Sequence, residues 1–130
     1  MADSDGIVTQ GILIDVTVFP AKFNDPTHHQ TFATDLADFL EVDVEGVTAQ
    51  NFGECRTVFA LGRGSSVMVT TWPEHNYVQI DISSRKDFDP EALVGFIRDE
   101  YKLDRGHYSN TFRGVTPPIP DLVQFIEDVA

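Results

Sequence analysis

Four short runs crowd the middle of the chain: "VTAQNF" at 47–52, "CRTVFAL" at 55–61, "SSVMVTTW" at 65–72 and "YVQIDIS" at 77–83. They are rich in β-branched and aromatic residues and are bounded by turn formers, Gly46 and Gly53, then Gly62 and Gly64, then Pro73. Only two to four residues separate one run from the next, whereas a crossover between parallel strands needs roughly a dozen or more. Adjacent runs must therefore turn back on one another. The spacing predicts an antiparallel meander, which limits what the flanking segments can build.

Those flanks supply one more strand on each side and the helices. "ILIDVTVF" places Ile12, Ile14, Val16 and Val18 on one face and Asp15 and Thr17 on the other, the alternation of a half-buried strand. The period changes in "THHQTFATDLADFLEV", where Phe32, Leu36, Phe39 and Leu40 fall at helical spacing and Thr27 is available as the cap. A second helix starts at Asp89-Pro90, with Glu91 putting negative charge in its first turn and Leu93, Val94, Phe96, Ile97 and Tyr101 forming its apolar stripe. "GHYSNTFRG" reads as a strand, and "PPIPDLVQFIEDVA" as a short helix after Pro120 carrying Leu122, Phe125, Ile126 and Val129 on one side. Residues 1–10 read as a tail and 11–130 as one domain. The fold class expected is α+β, a two-layer sandwich of a mainly antiparallel sheet with helices on one face.

Charge narrows the function. Nine Lys and Arg stand against 21 Asp and Glu, a formal net charge of -12. Such a field repels nucleic-acid backbones and anionic lipid, so neither nucleic acid nor membrane is an expected partner; a cationic small molecule is. Cys55 is the only cysteine, and the acidic start "MADSDGIVTQ" lacks the charged and apolar regions of a signal peptide, so the expected location is the cytoplasm. His28 and His29 diverge on a helix, and with His75 and His107 far away in sequence the spacing of a zinc site is missing, so no metal is expected.

The stretch "TWPEHNYVQIDI" resembles the "HTWPE-x-GY-x-x-x-D" signature of the bacterial S-adenosylmethionine decarboxylases, with Thr71, Trp72, Pro73, Glu74, Tyr77 and Asp81 at matching positions. The likeness runs on through Asp87, Asp89 and Pro90 to Gly114. It covers residues 45–114 well and 11–44 weakly, and has no counterpart for 115–130. The resemblance implies a homodimer and a serine that attacks the preceding carbonyl, cleaves the chain and becomes a pyruvoyl group, the electron sink of the decarboxylation. Counting back from Trp72, that serine is Ser65 and the carbonyl that of Gly64, with Ser66 making a double serine. Three positions depart from the pattern. Gly64 stands where the family has a glutamate, Thr70 where it has a histidine that assists processing, and Arg85 where it has a cysteine that donates a proton. Loss of one positioned acid or base typically costs a factor of ~10²–10⁴.

The site expected from these residues lies where the Ser65 corner meets the Trp-Pro-Glu turn. Ser65 and Ser66 sit at the catalytic position, Glu74, His75 and Trp72 face a sulfonium-type ligand, and Phe19 or Phe112 lies against a purine. The function expected is a diverged, non-self-processing member, with no cofactor, acting as a ligand-binding or regulatory partner in polyamine metabolism. Two alternatives stand beside it: a pyruvoyl-dependent decarboxylase self-cleaving between Gly64 and Ser65, and a lyase or hydrolase of S-adenosylmethionine without a pyruvoyl group.

Overall fold

The computed structural model describes residues 8–18, 20–103 and 105–114. Phe19 and the expected C-terminal helix with Leu122, Phe125, Ile126 and Val129 lie outside them. The elements in order are β1 (Val8–Val18), a 3-10 turn (Ala21–Asn24), α1 (Pro26–Phe39), β2 (Val44–Phe52), β3 (Cys55–Gly62), β4 (Ser65–Trp72), a second 3-10 turn (Pro73–His75), β5 (Tyr77–Ser84), α2 (Pro90–Tyr101) and β6 (Arg105–Gly114). β1 starts inside the segment read as tail: Val8, Thr9 and Gln10 pair with β6.

The meander is present as β2 to β5, with every adjacent pair antiparallel. The six strands lie in the order β2-β3-β4-β5-β1-β6, so the first strand of the chain sits between the fifth and the last. Gln10 helps to fix it there. Its side-chain NH₂ donates to the Phe88 carbonyl at 3.0 Å and to Asn110 Oδ1 at 2.9 Å, while its Oε1 accepts from the Phe88 N–H at 2.9 Å. One buried amide thus ties β1 to β6 and to the segment leading into α2.

Both helices cover the same face. From the sheet, Ile12, Ile14, Val16, Val58, Ala60, Val67, Val69, Val78, Ile80 and Ile82 point into the core, where they meet Phe32, Ala33, Leu36 and Ala37 of α1 and Leu93 and Ile97 of α2. The protein is α+β, one antiparallel sheet beneath one helical layer. The start of α2 is as expected, with the Asp89 side chain accepting from the Glu91 N–H at 3.0 Å ahead of Pro90. The start of α1 differs by two residues. Asp25 is the cap, accepting from both the N–H and the hydroxyl of Thr27, and Pro26 occupies the first turn. A carboxylate next to a helix-opening proline outcompetes the hydroxyl that follows it. Phe39, expected inside, is more than a third exposed at the end of α1, with its ring 4.9 Å from that of Phe96.

His29 is fully buried on α1, with its ring centre 5.3 Å from that of Phe23. Burial pushes its pKa below the usual imidazole value, the nearby Arg56 charge adds to this, and the Phe23 backbone opposes both. The folded state therefore holds His29 neutral while the unfolded chain protonates near pH 6.5, so stability is lost as pH falls from there through the folded value. Denaturant titrations at a series of pH values should show a slope that opens near pH 6.5 and grows as pH falls below it, bounded by ~1.4 kcal/mol per pH unit, the limit for one proton. His29→Leu should flatten that part of the profile; an unchanged slope would assign it to other groups.

Candidate functional site

β4 carries the matched motif, and its length decides which residues can meet. Ser65 opens the strand and Trp72 closes it. Seven residue steps at the usual strand rise separate them by roughly 23 Å. The expected meeting of Ser65 with the Trp-Pro-Glu turn does not occur, because an antiparallel turn joins the ends of neighbouring strands and never the two ends of one strand. Ser65 and Ser66 lie at one end of the sheet, and Trp72, Glu74 and His75 at the other.

At the Ser65 end, the chain leaves β3 through Gly62 and turns at Gly64, whose φ of +74° favours glycine. A Cβ at Gly64 would also meet Arg85 Cγ at 2.7 Å. Ser65 Oγ accepts a hydrogen bond from the Arg85 backbone N–H at 3.0 Å, which joins the start of β4 to the end of β5. A cavity of about 240 Å³ opens beside it, lined by Glu41, Val42, Asp43, Arg63, Ser65, Arg85 and Lys86. Lys86 Nζ lies 3.1 Å from Glu41 Oε1 in an exposed ion pair. The cavity therefore joins two carboxylates, three cationic side chains and one hydroxyl. Glu41, Asp43, Arg63 and Lys86 were missed in the sequence, and the first two of them lie in the turn after α1. The only local sign was that this turn follows α1 directly, with Glu41 at a φ of +60° ending the helix.

Ser66 points to the uncovered face of the sheet, opposite Ser83 and Leu61. Asp81 also lies on that face, between Met68 and Leu13. Thr70 is on it too, five residues along from Ser65, with its hydroxyl 3.1 Å from that of Thr57. Cys55 opens β3 at the Trp72 end, so it stands far from Ser65. Phe112 pairs with Gln10, which puts it on the helix side of the sheet and away from the exposed turn.

At the other end, Glu74 and His75 are exposed. Trp72 stacks on Tyr77 with ring centres 5.2 Å apart and planes within 18°. Tyr77 donates to Asp15 at 2.5 Å, and the second Asp15 oxygen lies 3.0 Å from His107 Nε2. The bond to Asp15 pushes the Tyr77 phenol above its usual range, with burial and the carboxylate charge acting in the same direction. Nothing in the local sequence of β1 or β6 signals this pairing, because it depends on β1 lying between β5 and β6.

Comparison with known proteins fixes the family. The pattern of the S-adenosylmethionine decarboxylase family matches residues 10–114. The chain belongs to that family. A curated S-adenosylmethionine decarboxylase proenzyme of Parasynechococcus marenigrum (strain WH8102) is 29% identical over 100 residues, covering 75% of this chain and 77% of that protein. A proenzyme of the same name from Pyrococcus horikoshii is 35% identical over 52 residues, covering 39% of this chain and 37% of the relative's length. The adenosylmethionine decarboxylase of Aquifex aeolicus shares the fold, with a TM-score of 0.69 at 16% identity over 89% of this chain and 98% of the other. Among the described residues no helix is long and apolar enough to cross a membrane.

The family's pyruvoyl group derives from a serine, and Ser65 is the residue whose position matches. Its surroundings do not fit that chemistry. Among the described residues no imidazole or thiol lines the cavity, and the Glu41 carboxylate is engaged by Lys86. The corner itself is conformationally demanding. Gly64→Ala should lower the unfolding free energy by about 1–2 kcal/mol, since a side chain in the left-handed region costs that much before Arg85 moves. A chemical denaturation midpoint equal to wild type would show that the corner relaxes at no cost.

Proposed function

We propose that this family member does not process itself and acts as a binding module for an amino acid of the S-adenosylmethionine type, serving as a ligand-binding or regulatory partner in polyamine metabolism. The observation that supports this most directly is the mixed charge of the cavity beside Ser65. Arg63 and Arg85 suit the carboxylate of a zwitterionic head group, and Asp43 suits its ammonium. Ser65 contributes a hydroxyl held in place by the Arg85 N–H, and Glu74 and His75 take no part. The exchange of the family's cysteine for Arg85 then reads as a change from proton donor to carboxylate clamp.

Two measurements separate this from its alternatives. Mass spectrometry of the denatured protein should show one intact chain. Fragments ending at Gly64 and beginning with a pyruvoyl cap at position 65 would overturn the proposal in favour of the self-cleaving decarboxylase. In calorimetry with S-adenosylmethionine, Asp43→Asn should weaken binding about tenfold, the scale of one charged hydrogen bond, and Glu74→Gln should leave it unchanged. Turnover of S-adenosylmethionine without release of carbon dioxide would favour the lyase or hydrolase.

The uncovered sheet face supports a second element of the proposal, a homodimer. Leu13 is 50% exposed there, and Met68, Phe59, Trp72 and Tyr77 share that face, whereas Val67 belongs to the helix-covered side. Sedimentation at tens of micromolar should report a dimer, and Leu13→Glu should shift it to monomer; a wild-type monomer would remove this element.

A further inference from the structure

The helix-covered side of the sheet has a flaw at its β6 edge. β1 and β6 change register between Val16 and Val18, and there Gly106 comes so close to β1 that a Cβ would lie 2.0 Å from the Asp15 carbonyl oxygen. No other residue fits, so no side chain at this position fills the space beneath α2. The result is a cavity of about 110 Å³ between α2, β1 and the start of β6. Its apolar wall is made by Ile14, Val16, Val94, Ile97 and Leu103. Arg98 from the last turn of α2, Arg105 from the first residue of β6, and Gly106, His107 and Tyr108 after it complete the lining.

The two guanidiniums are the informative feature. In a chain with 21 carboxylates and nine Lys and Arg, surface arginines readily find acidic partners. Among the described residues neither of these does so, and both are exposed beside the same apolar hollow. Two like charges beside one cavity repel each other until an anion joins them, and guanidinium groups grip carboxylates through paired N–H donors. The hollow has room for about four water-sized groups, each taking ~30 Å³ in the liquid. It sits near the Val16 end of β1, away from the Ser65 cavity at the Gln10 end, and on the opposite face from Asp15 and Tyr77.

We infer that this cavity is a binding site for a short-chain monocarboxylate, with its alkyl tail against Ile14, Val16, Val94, Ile97 and Leu103 and its carboxylate between Arg98 and Arg105. The site is independent of the ligand proposed for the Ser65 cavity. Apolar burial sets the preferred chain length, and the arginines set the requirement for an anion.

The test is calorimetry of the full chain with the series from propanoate to heptanoate, alongside pentanamide and inorganic phosphate, with methyl NMR reporting the location. Affinity should peak near pentanoate, pentanamide should bind about tenfold more weakly, and phosphate more weakly still. The methyl shifts should concentrate on Ile14, Val16, Val94, Ile97 and Leu103. Arg98→Gln and Arg105→Gln should each weaken pentanoate about tenfold with an unchanged methyl spectrum, since both side chains are exposed. Equal binding of acid and amide, phosphate binding as tight as pentanoate, methyl shifts elsewhere, or no shift in the low-millimolar range would each overturn the assignment.

Discussion

The fold depends on β1 finding its place between β5 and β6. Every other strand pairing links neighbours in the meander, through connections of a few residues. β1 pairs instead with segments that follow it by many tens of residues, so the entropy of closing those loops must be offset by what β1 brings. It brings Ile12, Ile14 and Val16 to the core and the Gln10 amide to Phe88 and Asn110. The amide matters because an unpaired buried polar group costs about 1–3 kcal/mol, so a misplaced β1 is penalised as well as unrewarded. With β1 in place, both helices cover one face and the other stays open, and both cavities discussed above lie where that covering layer runs out.

How far the sequence predicted this follows from how local each signal is. The four-strand meander, the Asp89-Pro90 helix start and the core stripe of Ile12, Ile14 and Val16 rest on neighbouring residues and a fixed period, and they were legible. The partners of β1 were not, because pairing at long separation leaves no trace in either segment. The Asp25 cap was overlooked because Thr27 satisfies the same rule two residues later. Some loop acids are involved in a site and others are merely solvated, and composition makes no distinction between Asp43 and Glu74.

The largest error at the candidate site was geometric. Ser65 and Trp72-Pro73-Glu74 lie close in sequence and belong to one motif, which invited the inference that they act together. A β-strand separates its ends by its full length, so a motif that spans an entire strand marks two places on the surface. At the Ser65 end the side chains of Glu41, Asp43, Arg63, Arg85 and Lys86 come from three different connections. At the Trp72 end, Tyr77, Asp15 and His107 come from three different strands. In both places the partners were supplied by topology.

The position of β1 also governs what a break in the backbone at the corner before Ser65 would do. The piece carrying β1, β2 and β3 would have its first strand wedged between β5 and β6 of the other piece, and its third strand laddered to β4. Separating the two would mean stripping three strand interfaces at once and pulling Gln10 out of its contacts. A nicked molecule would therefore remain interlocked, and would run as one particle until denatured. This architecture is indifferent to chain continuity at that corner, so a lineage can acquire or abandon scission there without having to rebuild the fold.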